Sequence, residues 1–321
     1  MSHGYTVAVV GAGLVGDRLV SELRRRGFPM RELRVLARSA RRSVLAGEEF
    51  KVGVAEPEAF EGVDIAFFAG TEGEKGAAVQ LAREAIDRGA VVIDNGSDFR
   101  LDPEVPLVVP EVNADALREH QGLIANPNCS TTQMVVTLAP LAREFGLKKV
   151  VVSTYQAVSG SGRSGVEALE NGREDVYPKQ ILGNAIPLIG GVGEDGYTTE
   201  ERKMRQESRK ILGLPDLEVY ATAVRIPVHT GHSESVYAET ERETSLEEVL
   251  DLFRSAPGVV FSGDPQDFPT PIEAAGEPGT FVGRLRVEGD RVSYWCVADN
   301  LLKGAATNAV QIAEALVGAR V

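Results

Sequence analysis

Short apolar runs alternate with amphipathic stretches through the first third of the chain: YTVAVVG, then LVSELRRRG, ELRVLAR, VDIAFFAG, AAVQLAREAIDRG and VVIDNG. Val- and Ile-rich runs without polar alternation are strands buried on both faces, and helices between them make the sheet parallel. The pattern predicts an α/β fold that opens with a doubly wound parallel sheet. Beyond residue 129 the texture changes. LKKVVVSTYQAVSGSG reads as a long strand ending in a Gly/Ser loop, and LEVYATAVRIPVHTGHSESVYAETE, GTFVGRLRVEG and DRVSYWCVADN read as extended, partly alternating strands. These predict a second domain of α+β type with a mostly antiparallel sheet. LLKGAATNAVQIAEALVGAR has apolar residues at helical spacing and is expected to return to the first domain. The expected division is therefore 1–127 with a C-terminal helix over 302–321, and 128–301. No repeat or low-complexity linker separates the two.

Composition narrows the functional classes. The 321 residues carry 43% hydrophobic content, enough for a sizeable core, and a formal net charge of -13. Such an acidic chain is not expected to bind nucleic acid, since phosphate backbones demand basic surface. An anionic ligand must be held by a few locally placed Arg and Lys residues. Two cysteines in so long a chain suit a reducing cytoplasm rather than a disulfide framework. No apolar run approaches bilayer length and the N-terminus lacks a leader pattern, so the expected location is cytoplasmic, with no membrane contact. No metal is expected.

The stretch VAVVGAGLVGDRLV places Gly11, Gly13 and Gly16 directly after a strand and at the start of a helix. In that context the glycines permit a tight turn, and the backbone from Gly11 through Leu14 and Val15 to Gly16 offers a pyrophosphate the helix N-terminus. At the end of the second strand, RVLARSARRS lacks the acidic residue that would hold an NAD ribose. Arg38, Ser39 and Arg41 stand there instead and suit a 2′-phosphate, so the expected cofactor is NADP. Which of these arginines meets the phosphate is left open by the sequence.

A displayed cysteine supplies the candidate chemistry. In ANPNCSTTQMVV, Cys129 sits where a polar turn gives way to an apolar helix, a position that stabilises a thiolate through the helix dipole and exposed amides. Asn128 and the amides after Cys129 are candidates to bind a developing oxyanion. Cys296, in SYWCVAD, reads as a packing residue. Of four histidines, His3 lies at the terminus and His120 in a polar turn, which leaves His229 and His232 in RIPVHTGHSES. His232 opens a new strand and Arg225 closes the preceding one, so a turn can bring imidazole and guanidinium together. Thiolate, histidine and nicotinamide imply thiohemiacetal, hydride transfer and thioester, with water or phosphate as final acceptor.

These stretches resemble the aspartate-semialdehyde dehydrogenases over nearly the whole chain. NPNCSTTQ is the most specific piece, supported by VVIDNGSDFR, STYQAVSGSG, RIPVHTGHSE and DNLLKGAATNAVQIAE. The resemblance implies a Rossmann domain joined to a catalytic and dimerisation domain, a homodimer, and NADPH-dependent reduction of 4-aspartyl phosphate to aspartate 4-semialdehyde and phosphate. It further implies Cys129 as nucleophile, Gln156 orienting the intermediate, Arg225 clamping the substrate carboxylate and His232 as acid/base. Arg100, Lys203 and Asn128 resemble the phosphate site, and Glu200 a residue that binds the substrate amino group. Ser159, Gly160 and Gly162 resemble a cofactor-contacting turn, and Asn300 is expected near the nicotinamide. The glycine loop GAGLVG is one residue shorter than the family pattern, and GSDFR adds Asp98 beside Arg100. Two alternatives remain at this stage. One is N-acetyl-γ-glutamyl-phosphate reductase, which usually carries Asn-Pro-Gly-Cys-Tyr around its cysteine. The other is a non-catalytic protein that senses NADP or redox state through Cys129.

Overall fold

The computed structural model describes residues 4–70, 73, 75–173 and 175–318; His3 and the last three positions of the expected terminal helix lie outside the described residues. The chain divides into two compact units, Met1–Pro127 with Ala305–Val321, and Asn128–Gly304.

In the first unit, strand β1 (Tyr5–Val10) leads into helix α1 (Leu14–Arg25) and β2 (Met30–Ala37). A hairpin of β3 (Arg41–Leu45) and β4 (Glu48–Val54) follows, then β5 (Ile65–Phe68), α2 (Ala77–Asp87), β6 (Val91–Asp94), the short α3 (Pro110–Asn113) and β7 (Leu123–Ala125). The sheet order is β3-β4-β2-β1-β5-β6-β7, parallel throughout except for the β3/β4 pair. Alternate residues serve opposite layers. Val7, Val9, Phe67 and Ile93 pack with Leu19 and Leu23 of α1 and with Val310 and Ala313 near the C-terminus. Ala8, Val10, Ala66, Phe68 and Val92 face Ala78, Ala82 and Ala85 of α2. Coverage on both sides is why these strands carry unbroken apolar runs.

The β3/β4 hairpin was not expected, because RRSVLAGEEFKVGV alternates weakly and looks like polar loop. Its two-residue turn puts both Ala46 (φ 49) and Gly47 (φ 78) in the left-handed region, as tight hairpins require. Asp17 supports Ala46 there by accepting from its amide at 2.9 Å.

The second unit begins with α4 (Cys129–Phe145) and β8 (Lys149–Gln156), followed by α5 (Gly162–Asn171), α6 (Thr199–Leu212) and β9 (Glu218–Arg225). Next come β10 (His232–Glu239), α7 (Leu246–Ser255), β11 (Val259–Phe261), α8 (Pro271–Ala274), β12 (Thr280–Glu288) and β13 (Arg291–Ala298). The sheet runs β11-β12-β13-β10-β8-β9. Its three inner pairings are antiparallel and the two outermost, β11/β12 and β8/β9, are parallel. The mostly antiparallel expectation therefore holds for the centre of the sheet. One face packs Val150, Val152, Val219 and Val236 on Met134 and Leu138 of α4, Met204 of α6 and Phe253 of α7. The other turns Val151, Ser153, Tyr155, Tyr220, Ser235 and Trp295 away from that core, with Val151 42% and Tyr220 47% exposed.

The expected C-terminal helix starts differently from the reading. Leu302–Ala306 form a single π turn before α9 (Thr307–Gly318). The wider turn begins where Asp299 Oδ1 accepts from the amides of Leu301 and Leu302, at 2.8 and 3.2 Å.

Candidate active site

The glycines after β1 each answer a different demand. Gly11 has φ +118, and a Cβ there would lie 2.6 Å from the Ala69 carbonyl oxygen. A Cβ on Gly16 would collide with the Gly11 carbonyl, so α1 can approach the loop this closely only with glycine. Gly13 faces open space and caps α1 without a side chain, which leaves the amides of Leu14, Val15 and Gly16 presented at the positive end of the helix. A cavity of about 490 Å³ adjoins this turn, lined in part by Gly11, Gly13, Arg38, Ser39, Arg41 and Lys75. Arg41 donates to the Ser39 carbonyl at 3.3 Å, and among the described residues no carboxylate pairs with Arg38 or Arg41. The cradle thus offers helix amides for a pyrophosphate and cations for a further phosphate, and its residues fit NADP. Lys75 was missed in the sequence, where a lone lysine in GTEGEKGAA carries no periodic signal.

Cys129 opens α4 and is partly exposed. Asn128 caps this helix: its Oδ1 accepts from the amides of Ser130 at 3.0 Å and Thr131 at 3.1 Å. This corrects one expectation, since the amides following the cysteine are already bonded to the cap rather than offered to an oxyanion. Gly304, in the π turn, packs against Cys129; a Cβ there would lie 2.8 Å from Cys129 Cβ and 3.1 Å from its Cα.

Helix α6 supplies a carboxylate hub. A capping box between Thr198 and Glu201 sets its start, and Glu200 projects inward, 8% exposed. Both Glu200 oxygens accept from Asn128 Nδ2, at 3.0 and 3.1 Å, and Oε1 also accepts from Gln156 Nε2 at 3.1 Å. Two turns further, the buried Glu207 accepts from the Asn128 backbone amide at 2.7 Å. Glu200, Lys203 and Glu207 recur at i, i+3 and i+7, one face of the helix. Glu207 was missed, although this spacing in EERKMRQES was a usable sign that the charged stretch had a buried side.

At the far end of β8, Gln156 is paired in register with Arg225, the last residue of β9. The next peptide ties the expected carboxylate clamp to the expected acid/base. Arg225 Nη1 donates to the Ala157 carbonyl at 2.6 Å, and the Ala157 amide donates to His232 Nδ1 at 3.0 Å. Both side chains are buried, and Arg225 Nε and His232 Nε2 meet no hydrogen-bond partner among the described residues. Removal from water, and then the nearby Arg225 charge, hold the His232 imidazole well below its ordinary pKa. Gly160 sits against the pair, since a Cβ there would lie 2.8 Å from Arg225 Nη1 and 3.2 Å from His232 Nε2. Ser159 Oγ accepts from Asn300 Nδ2 at 3.0 Å, and Asn300 Oδ1 accepts from the Gly231 amide at 3.0 Å. Gly162, with φ +70, starts α5.

His229 and Arg100 have other partners. His229 is half exposed and lies 3.7 Å from Glu170, which leaves His232 as the buried histidine of the loop. Arg100 belongs to the first unit, where Nε donates to the Asn126 carbonyl at 2.9 Å and Nη2 to the Asn95 carbonyl at 2.8 Å. Asp98 accepts from the Gly73 amide at 3.0 Å.

A cysteine at a helix start, a buried His/Arg pair and a dinucleotide cradle are the working parts of a thiol-dependent aldehyde dehydrogenase. Two family models agree with that class: residues 6–120 match the semialdehyde dehydrogenase NAD binding domain, and 138–303 match the semialdehyde dehydrogenase dimerisation domain. The chain is 48% identical to aspartate-semialdehyde dehydrogenase of Bacillus subtilis and 49% identical to that of Aquifex aeolicus, covering 98% of this chain and 98% of each relative. Its fold is similar to the crystal structure of aspartate semialdehyde dehydrogenase II from Vibrio cholerae complexed with ASA, with a TM-score of 0.92 and 40% identity over 98% of this chain and 99% of that one. The chain belongs to the aspartate-semialdehyde dehydrogenase family.

Proposed function

We propose that the protein catalyses the reversible NADPH-dependent reduction of 4-aspartyl phosphate to aspartate 4-semialdehyde and phosphate through a thioester on Cys129, in the biosynthesis of lysine, threonine and methionine. The observation that carries this reading is the continuous set of contacts from the cysteine turn through Asn128, Glu200 and Gln156 to the Ala157 peptide that holds Arg225 and His232. The names of relatives at 40% identity and above do not favour the longer acylated glutamyl substrate.

The residues divide the work by chemistry. Cys129 attacks the acyl phosphate carbon, and Arg225 receives the substrate α-carboxylate, for which a planar guanidinium is the matching donor. Glu200 holds the amino group while keeping the amides of Asn128 and Gln156 oriented, and Gln156 positions the bound acyl group without adding charge. Arg100, Lys203 and Asn128 receive the phosphate. NADPH, when bound in the cradle of Arg38, Ser39 and Arg41, supplies a hydride. Ser159, Gly160, Gly162 and Asn300 shape the turn that meets it. The enzyme works in the cytoplasm, and among the described residues no helix is long and apolar enough to cross a membrane. It acts as a homodimer joined through the outward face of the six-stranded sheet, where Tyr155 and Trp295 rings lie 5.4 Å apart beside a groove of about 480 Å³.

The direct test follows NADPH absorbance from aspartate 4-semialdehyde and NADP, with and without inorganic phosphate. Phosphate-dependent formation is expected, with NAD a poorer acceptor. Turnover independent of phosphate would mean that water takes the thioester and would remove Arg100 and Lys203 from a phosphate role.

A further inference from the structure

We infer that Lys75, in the connection between β5 and α2, is a specificity residue that binds the 2′-phosphate of NADP from across the cradle, and that Asp98 positions it. The inference rests on the NADP cofactor of the function proposed above and adds a residue that the family resemblance does not assign. The cavity beside the glycine turn has an apolar floor and a charged rim. Ala37 is buried, and Ala55, Ala69, Ala77 and Leu81 are half-buried. Arg38, Ser39, Arg41 and Lys75 line the same cavity but are exposed. A flat base suits the floor, and the amides of Leu14, Val15 and Gly16 draw the pyrophosphate to the end of β1. The phosphate left for cations at the rim is the one on the ribose 2′ oxygen.

The strand order puts those cations on two sides of it. β2, which ends before Arg38, and β5, which ends before the Lys75 connection, flank β1. Strands two apart in a sheet are separated by about 10 Å, a gap that two long side chains and a phosphate between them can close. Among the described residues no carboxylate pairs with Lys75, so its charge is available to a ligand. Its backbone is nonetheless held in place. The Gly76 amide donates to the Gly73 carbonyl at 2.6 Å, and the Gly73 amide donates to both Asp98 oxygens, at 3.0 and 3.2 Å. Gly73 has φ +83, which glycine adopts without strain, and Gly76 caps α2 directly after the lysine. Asp98, the acidic residue that GSDFR adds, therefore has a task away from Arg100: it anchors the turn that presents Lys75. A compact ammonium on a flexible stem supplies charge to a phosphate at the rim without the fixed geometry of a guanidinium.

The test is calorimetric titration of the full-length protein with NADP and, by displacement of bound NADP, with NAD. Lys75→Met keeps most of the stem and removes the charge. It should weaken NADP binding roughly tenfold and leave NAD binding unchanged, which also reports an intact fold. Asp98→Ala should lose part of the same preference for NADP. Equal losses for NADP and NAD in Lys75→Met would move the lysine to the pyrophosphate and overturn the inference, as would wild-type affinity for NADP. An Asp98→Ala variant with the wild-type preference would remove Asp98 from the positioning role. A wild-type protein that binds NADP no more tightly than NAD would instead overturn the cofactor of the proposed function, whatever the Lys75 variant does.

Discussion

At the scale of single residues, the cysteine turn was legible because the polar turn and the apolar helix that follows it are local features of ANPNCSTTQMVV, whereas the cap that Asn128 makes was not. Nor was Glu234. It lies two positions beyond His232 on β10, facing the same buried layer, and accepts from the Cys296 thiol at 3.4 Å. Desolvation pushes its carboxyl up to about 8 from an ordinary 4.5, and burial likewise raises the Cys296 thiol, with Glu234 reinforcing it. The folded state therefore keeps a proton that the unfolded chain releases. The associated stability is fully present below about pH 4.5 and is lost as pH rises towards about 8. At pH 7 the loss is on the order of 3 kcal/mol, from about 1.4 kcal/mol per unit. Glu234→Gln should abolish this slope and raise the denaturation midpoint at neutral pH. Equal midpoints for wild type and variant at pH 5 and pH 8, by chemical denaturation, would show that Glu234 ionises normally.

At the scale of elements, the sequence located helices and strands but not the faces they would share. Asn128 and Glu200 are 72 positions apart, and only the packing of α6 against the start of α4 turns a charged helix into a carboxylate hub. Gly304 has the same origin. Within LLKGAATNAVQIAE it looks like an ordinary helical glycine, but the π turn brings it against Cys129. Such turns interrupt helices where a functional contact demands it. Gly304→Ala forces a shift at the contact between the π turn and Cys129, and with Cys129 as the proposed nucleophile kcat is expected to fall on the order of 10²-fold, in line with the known sensitivity of catalysis to misplacement. Alkylation of Cys129 should slow in parallel. A variant with unchanged turnover and unchanged alkylation would show that the turn yields without cost.

At the scale of the whole molecule, the outward face of the six-stranded sheet is the surface on which the proposed dimer rests. Val151 and Tyr220 are large and exposed on a face that alternates with the helix-covered one. Apolar exposure of this kind on a sheet marks an interaction surface. Val151→Asp combined with Tyr220→Asp should convert a dimer into a species near the chain mass of 34.4 kDa in sedimentation experiments. A wild-type protein already at that mass, or a variant that stays dimeric, would exclude this face. The sequence by itself determined what depends on neighbours along the chain. It specified the parallel sheet, through runs buried on both sides, the glycine turn at a helix start, the cysteine where a polar turn meets a helix, and the change to alternating strands. The tertiary structure alone decided what depends on distance through space: the β3/β4 edge hairpin, Lys75 beside the glycine turn, Glu207 and Gly304 around the cysteine turn, and the Ala157 peptide that bonds both Arg225 and His232. Hydrophobic periodicity records which way a side chain points. It cannot record which remote atom will be there to meet it.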